Sequence, residues 1–167
     1  MTAGNRESGI GSRESGVGAQ PATVLERIAR LVALFNEGSL DVPDGLIARA
    51  CVFRLNGVAY EDTMGRPISD PLVRLVGRGP AAYRLLSQAV RYALPDARLR
   101  LQRVVAGSDA GGLLTGTAIL AGTLRGAGPF TARAAVALVA DAAGHLTEVA
   151  AVLDEADVMA LARAREH

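Results

Sequence analysis

The chain has 167 residues, half of them hydrophobic, and its 18 arginines and 17 acidic residues leave a net charge of +1. The near-neutral charge, the absence of lysine and the 4% aromatic content argue against a nucleic-acid-binding protein. No segment approaches the roughly 18 apolar residues of a membrane helix, and no hydrophobic signal segment opens the chain. We therefore expect a soluble, cytoplasmic protein without membrane contact, and the Arg, Ala and Gly bias indicates a GC-rich bacterial source. Cys51 is the only cysteine, which excludes an intrachain disulfide.

The composition of the chain changes near residue 22. Residues 6–12 and 13–18 form a near-repeat that is rich in Gly and Ser and poor in large apolar residues. Such a segment cannot bury enough surface to order itself, so residues 1–22 are predicted to be a disordered tail. Residues 23–167 are predicted to form one domain, long enough to bury about 70% of the surface of its unfolded chain.

Four helices are predicted from hydrophobic spacing and end signals. Their ranges are 23–38, 42–50, 79–94 and 155–165. In the first, Thr23 and Glu26 form a capping box, and apolar residues recur at every third or fourth position. Pro80 opens the third helix at a position where its missing N–H costs nothing, and Pro95 ends it. Asp154 is the expected cap of the fourth helix.

Six strands are predicted between and after these helices. Their ranges are 50–55, 72–76, 97–105, 113–125, 131–140 and 145–154. Turn signals punctuate them, and Asn56-Gly57 is the clearest. Most of the strands follow one another along the chain without a helix between them. This segregation of helices from strands predicts the α+β fold class, with an antiparallel sheet.

The long strand 131–140 is apolar on both faces. Ala135 and Ala137 share one face, while Val136 and Leu138 share the other. An antiparallel sheet with one wet face should alternate apolar and polar residues, and this strand does not. We expect helices to cover one face, and either a second copy of the chain or the curvature of the sheet to cover the other. Of these two, we favour a homodimer through the sheet.

This order of elements resembles the nuclear transport factor 2 superfamily and, within it, the SnoaL-like polyketide cyclases. The motifs that carry the resemblance are Leu34-Phe35-Asn36-Glu37-Gly38, Gly79-Pro80-Ala81-Ala82-Tyr83, Leu94-Pro95-Asp96-Ala97-Arg98 and Gly144-His145-Leu146-Thr147-Glu148. The resemblance covers residues 24–165. It implies a cone-shaped α+β barrel, in which a curved antiparallel sheet wraps around three helices and a C-terminal helix is added. It also implies an apolar cavity that is open at one end.

The sequence departs from the family pattern where the chemistry is expected. The resemblance places the acid/base Asp of the cyclases at Ala151 and a neighbouring His near Ala137. The Asp base of the related ketosteroid isomerases falls near Arg54 or Leu55. Alanine has no proton to exchange, so the polar groups that remain near the implied pocket become the candidates for chemistry.

The candidate catalytic residues are Arg54, Tyr60 and Asp62. Arg54 ends the first strand, and the other two lie in the long segment 58–71, which is either a lid or an ordinary solvated connection. The resemblance leads us to expect ligand contacts from Asn56, Tyr83, Ala137, Ala151 and Leu153. No metal site is expected, because neither His145 nor His167 has a Cys or carboxylate at ligand spacing.

Two functions fit these observations. The first is a cyclase, isomerase or dehydratase that acts without a cofactor on an apolar polyketide- or terpenoid-like small molecule. The second is a ligand-binding or dimerisation module that has lost the acid/base residues of the family. The ionisable side chains that line the cavity of the folded protein would discriminate between them.

Overall fold

The computed structural model describes residues 21–107 and 112–166, with side chains from residue 24 onward. The predicted tail, residues 1–22, lies almost wholly outside this range. Within it the helices are α1 (Pro21–Glu37), α2 (Pro71–Val76), α3 (Gly79–Ala93) and α4 (Glu155–Ala164), with a short 3₁₀ helix at Tyr60–Met64. The strands are β1 (Ile47–Leu55), β2 (Val58–Ala59), β3 (Arg98–Ala106), β4 (Leu113–Leu124), β5 (Gly128–Ala140) and β6 (Leu146–Val152).

The strands form one six-stranded sheet in the order β2-β1-β6-β5-β4-β3. The sheet is open, and it is mixed rather than antiparallel, because β1 runs parallel to β6 while the other pairs are antiparallel. β-Bulges interrupt the pairings β1–β6, β3–β4 and β5–β6, and bulges bend a sheet. Helices α1 and α3 pack inside the bend, which gives the α+β cone that the sequence predicted.

Three predictions of local structure were wrong. The helix expected at 42–50 is a turn followed by the start of β1, because Gly45 has a φ of 90° that breaks a helix. The strand expected at 72–76 is α2, whose cap is Asp70: its Oδ1 accepts a hydrogen bond from the Leu72 N–H at 2.8 Å. Thr23 is not a cap, since α1 begins two residues earlier.

The core has two parts at opposite ends of the cone. One part surrounds Ile28, Cys51 and Leu146, and the other surrounds Phe35, Leu94 and Phe130. Burial, together with the nearby negative charge of Glu148, raises the pKa of the Cys51 thiol to about 12, so it is an inert core residue. Among the described residues, no helix combines the length and the apolar composition needed to cross a membrane.

Candidate functional site

A cavity of about 260 Å³ lies between α1, α3 and the concave face of the sheet. Its walls are Ile28, Leu31, Val32, Phe35, Phe53, Tyr83, Leu99, Leu101, Ala118, Leu120, Ala132, Ala134, Val136, Leu138, Leu146, Val149, Ala151 and Leu153. In this set, drawn from the part of the chain that the structure describes, Tyr83 is the one residue with a polar side chain. The cavity is therefore suited to an apolar molecule.

Strand alternation explains how the cavity is lined. Every second residue of β5, from Ala132 to Leu138, points inward, and the residues between them point outward. The space exists because small side chains face it from three neighbouring strands: Ala118, Ala132, Ala134 and Ala151. Larger residues at these positions would fill the interior, as in an ordinary packed core.

Tyr83 brings the one hydroxyl to this wall. Its side chain is 7% exposed, and among the described residues no hydrogen bond of ordinary geometry reaches the hydroxyl, although the Ser87 side chain lies near it. Burial raises the pKa of the phenol, while hydrogen bonding with Ser87, one turn further along α3, and the positive charge of Arg91 act in the opposite direction.

Solved structures with the same architecture decide the fold. IdmH, a candidate polyketide cyclase from Streptomyces antibioticus, is 21% identical over 84% of this chain and 98% of its own, with a TM-score of 0.55. Its loop-truncated variant is 24% identical over 83% and 98%, with a TM-score of 0.58. A nuclear transport factor 2-like protein of unknown function from Exiguobacterium is 17% identical over 77% and 98%, with a TM-score of 0.56.

The chain has the nuclear transport factor 2-like fold. A candidate SnoaL-like polyketide cyclase from Jannaschia shares it at 12% identity over 84% of this chain and 93% of its own, with a TM-score of 0.59. Other matches are a pinacolase and an epoxide hydrolase/cyclase-like enzyme of salinomycin formation. At these identities the likeness establishes the fold, and it confirms the predicted resemblance. No family model matches the sequence, and no curated protein does.

Within this nuclear transport factor 2-like cone, three of the predicted ligand contacts line the cavity: Tyr83, Ala151 and Leu153. Ala137 does not, since it lies on the outer face of β5, opposite Ala150 of β6. Asn56 does not line it either. The structure therefore brings together three of the five positions, one on α3, one on β6 and one directly after β6.

The predicted catalytic residues lie outside the cavity lining. Arg54 is on the outer face of β1, where its Nε is 3.4 Å from Oε1 of Glu148, and both side chains are about 40% exposed. Tyr60 and Asp62 lie in the 3₁₀ helix, and Asp62 is exposed. No residue of the segment 58–71 lines the cavity, which agrees with an ordinary connection better than with a lid over this cavity.

An ion pair that sequence reasoning missed holds this segment in place. Glu61 is 4% exposed, and both its oxygens accept hydrogen bonds from the Arg78 guanidinium: Nη2 donates to Oε1 at 2.9 Å and Nε donates to Oε2. The pairing fixes the 3₁₀ helix against the start of α3. Glu61 stands next to Asp62 in the sequence, and nothing local distinguishes the buried carboxylate from the exposed one.

The chemistry available inside the cone is narrow. The part of the wall that the structure describes carries no carboxylate, imidazole, thiol or amine, so proton donation from the protein to a bound molecule falls to the phenol of Tyr83. Within residues 21–107 and 112–166, no three His, Cys, Asp or Glu side chains are grouped closely enough to hold a metal ion. The site can enclose a molecule, fix its shape and donate one hydrogen bond.

Proposed function

We propose that this protein is a cyclase-type enzyme that binds an apolar, polyketide- or terpenoid-like small molecule in the cavity. The observation that carries the proposal is an apolar space of about 260 Å³ inside the cone, with Tyr83 as the one residue of its described wall that has a polar side chain. Side chains around an empty space lack van der Waals partners on one side. A ligand of matching shape supplies those partners, and an oxygen on it would accept a hydrogen bond from the Tyr83 hydroxyl.

Such a site would accelerate a reaction mainly by holding the substrate in a reactive conformation. Apolar walls hold a flexible substrate in one folded shape, which raises the effective concentration of two groups that react with each other. The raised pKa of Tyr83 keeps the phenol protonated, so it donates a hydrogen bond to a carbonyl or ether oxygen of the substrate. That bond strengthens as negative charge develops on the oxygen, and the proposal needs no cofactor.

A second candidate function is ligand binding without chemistry. The observation that favours it is Ala151, which lines the cavity at the position where the resemblance implies the acid/base Asp of the cyclases. With a methyl group there, a bound molecule meets one hydrogen-bond donor and no base. The protein would then store, carry or sense an apolar molecule.

The test starts from the protein as purified. Native mass spectrometry and solvent extraction identify any small molecule that it carries, and cyclisable polyketide- and terpenoid-like carbonyl compounds are then assayed for binding and conversion. We expect Tyr83→Phe to lower conversion about a hundredfold, the effect of removing one preorganised donor. Tyr92→Phe is the matched control, since it removes the same hydroxyl from an exposed residue of the same helix that does not line the cavity.

Each outcome separates the two functions. Conversion that is equal in Tyr83→Phe and wild type contradicts the role of the phenol. Tight binding of several compounds with no conversion of any of them supports the second candidate. Failure of every compound to bind contradicts both.

A catalytic role for Arg54, Tyr60 and Asp62, which the sequence predicted, competes with the proposal that the reaction takes place in the cavity. None of them lines the cavity, so we expect Arg54→Ala and Asp62→Asn to leave conversion unchanged. A loss of conversion in either variant, with binding retained, would move the reacting centre to the surface around β1 and the 3₁₀ helix.

We also propose that two copies pair through the convex face of the sheet. Four small or apolar side chains adjoin one another on this face across β5 and β6, namely Ala135, Ala137, Ala150 and Val152, and Val152 is 57% exposed. Threonines of β4 and the Arg54–Glu148 pair flank them. Polar residues are expected on a sheet face that meets water. A second copy placed on this face would remove these side chains from water without closing the cavity on the concave side.

A further inference from the structure

A groove on the outside of the cone runs along the seam between α1 and β3. It has a volume of about 430 Å³ and is open to solvent. The residues that line it are Leu25, Ile28, Ala29, Val32, Asn36, Leu99, Arg100, Leu101 and Val104. Seven of these nine are apolar. The Asn36 amide is occupied, because it donates to the Leu99 carbonyl at 2.9 Å and accepts from the Leu99 N–H at 2.7 Å.

The groove and the cavity are separated by one layer of side chains. Four residues line both spaces: Ile28, Val32, Leu99 and Leu101. All four are aliphatic, and none of them makes a side-chain hydrogen bond that would fix it in place. Ile28 is buried, but Val32, Leu99 and Leu101 are only half-buried, so the partition between the two spaces is one side chain thick.

A β-bulge in β3 creates the outer part of the groove. The pairing of β3 with β4 shifts between Gln102 and Val105, and Arg103 has a φ of 50°. The extra residue lets Leu101 and Val104, three positions apart, both face the seam. Gly116 on β4 permits this, because a Cβ there would lie 3.1 Å from the Cα of Val104.

We propose that the cavity and the groove are two compartments of one ligand site. The ligand is an elongated molecule whose apolar head fills the cavity, while an apolar chain crosses the partition and lies between α1 and β3. This inference rests on the proposed function, since it specifies the shape of the molecule that the cavity takes. The cavity alone is smaller than the roughly 300–1,000 Å³ of most ligand sites, whereas the two compartments together fall within that range.

Charge and exposure agree with this arrangement. The apolar chain of the ligand would end near Arg100. Arg100 is the one charged residue of the groove lining, and its side chain is exposed. The outer end of the ligand would therefore lie in water, and the inner end would lie against the walls of the cavity. A compact ligand, by contrast, would leave the apolar groove empty.

Straight-chain alcohols from hexanol to hexadecanol test the inference by displacing an anilinonaphthalene sulfonate probe. In the wild type, affinity should rise about fourfold per methylene, as expected for a buried CH₂, past the length that the cavity alone can hold. Ala29→Trp should stop this rise at a shorter chain, with hexanol binding unchanged, because Ala29 lines the groove but not the cavity. Arg30→Trp, at an exposed neighbouring position on α1, is the control and should leave the series as in the wild type.

Three results would overturn the inference. One is an Ala29→Trp series identical to that of the wild type. Another is that Ala29→Trp weakens the binding of hexanol and of hexadecanol by the same factor relative to the wild type. In either case binding to the cavity persists and the proposed function stands. If no alcohol of any length binds the wild type, the proposed function fails, and the inference fails with it.

Discussion

The side chain of Asn56 forms two hydrogen bonds with the backbone of Leu153, 97 residues later in the chain. Its Nδ2 donates to the Leu153 carbonyl at 3.1 Å, and its Oδ1 accepts from the Leu153 N–H at 2.8 Å. The Asn56 N–H donates to the Ala151 carbonyl at 2.9 Å as well. Leu153 and Ala151 both line the cavity, so Asn56 positions the wall from outside it.

We expect Asn56→Ala to lower the free energy of unfolding by about 2 kcal/mol, since two hydrogen bonds of about 1 kcal/mol each are lost. Asn56 also has a φ of 50°, which alanine tolerates poorly. Asn56→Gly separates the two causes, because glycine keeps the backbone conformation and loses only the amide. Urea unfolding monitored by circular dichroism measures both variants. If Asn56→Ala is as stable as the wild type, the two hydrogen bonds between Asn56 and Leu153 are not formed in solution.

Filling the cavity should stabilise the protein and prevent ligand binding. Ala134 faces the cavity from the middle of β5, so Ala134→Leu places a larger side chain in that space. Cavity-filling changes commonly add about 1 kcal/mol of stability. Ala135→Leu is the matched control on the opposite face of the same strand, and it should leave binding unchanged. Thermal unfolding and probe titration give the two readouts, and a less stable Ala134→Leu that still binds would contradict the cavity.

The sequence predicted the parts of the site that follow from local periodicity. The period of two along β5 identified which residues share each of its faces. The resemblance placed Ala151 at the cavity, where it lies. It placed Ala137 there too, but β5 presents that residue to the convex face. Side-chain direction depends on strand register, which a loose resemblance does not fix.

The features that the sequence did not reveal depend on distant partners. The parallel pairing of β1 with β6 joins residues 96 to 99 positions apart, and no local pattern distinguishes it from an antiparallel pair. Glu61 is buried because Arg78 lies beside it in the fold. α2 was mistaken for a strand because its six residues are too few to show a helical period.

Asp96 should link stability to pH. The Thr123 N–H donates to its Oδ1 at 2.6 Å and the Thr123 hydroxyl donates to its Oδ2 at 2.9 Å. These bonds lower the pKa of the folded carboxyl below 3.8, mainly through the backbone N–H. Because the folded pKa lies below the unfolded one, the stabilisation is fully present above the unfolded value of about 3.9 and is lost as the pH falls through the folded value.

The measurement compares the wild type with Asp96→Asn by urea unfolding from neutral pH down into the acid range. The wild type should be the more stable at neutral pH, and its advantage should shrink as the pH falls below about 4. Thr123→Val removes the hydroxyl but keeps the backbone N–H, so its pH dependence should lie between the two. If the difference in unfolding free energy between the wild type and Asp96→Asn does not change with pH, the charge of the carboxylate is not involved.

The convex face of the sheet gives the last prediction, which concerns assembly. Ala137 and its pairing partner Ala150 lie at the centre of that face. If two copies pair there, Ala137→Glu places a carboxylate inside the interface, where burying an unpaired charge costs several kcal/mol, and the dimer should dissociate. Ala127→Glu adds the same charge at an exposed turn and should leave the mass in solution unchanged. Sedimentation equilibrium measures both, and Ala137 faces away from the cavity, so probe binding should persist in the dissociated variant. A wild type that sediments as a monomer, or an Ala137→Glu dimer as stable as the wild type, contradicts pairing through this face.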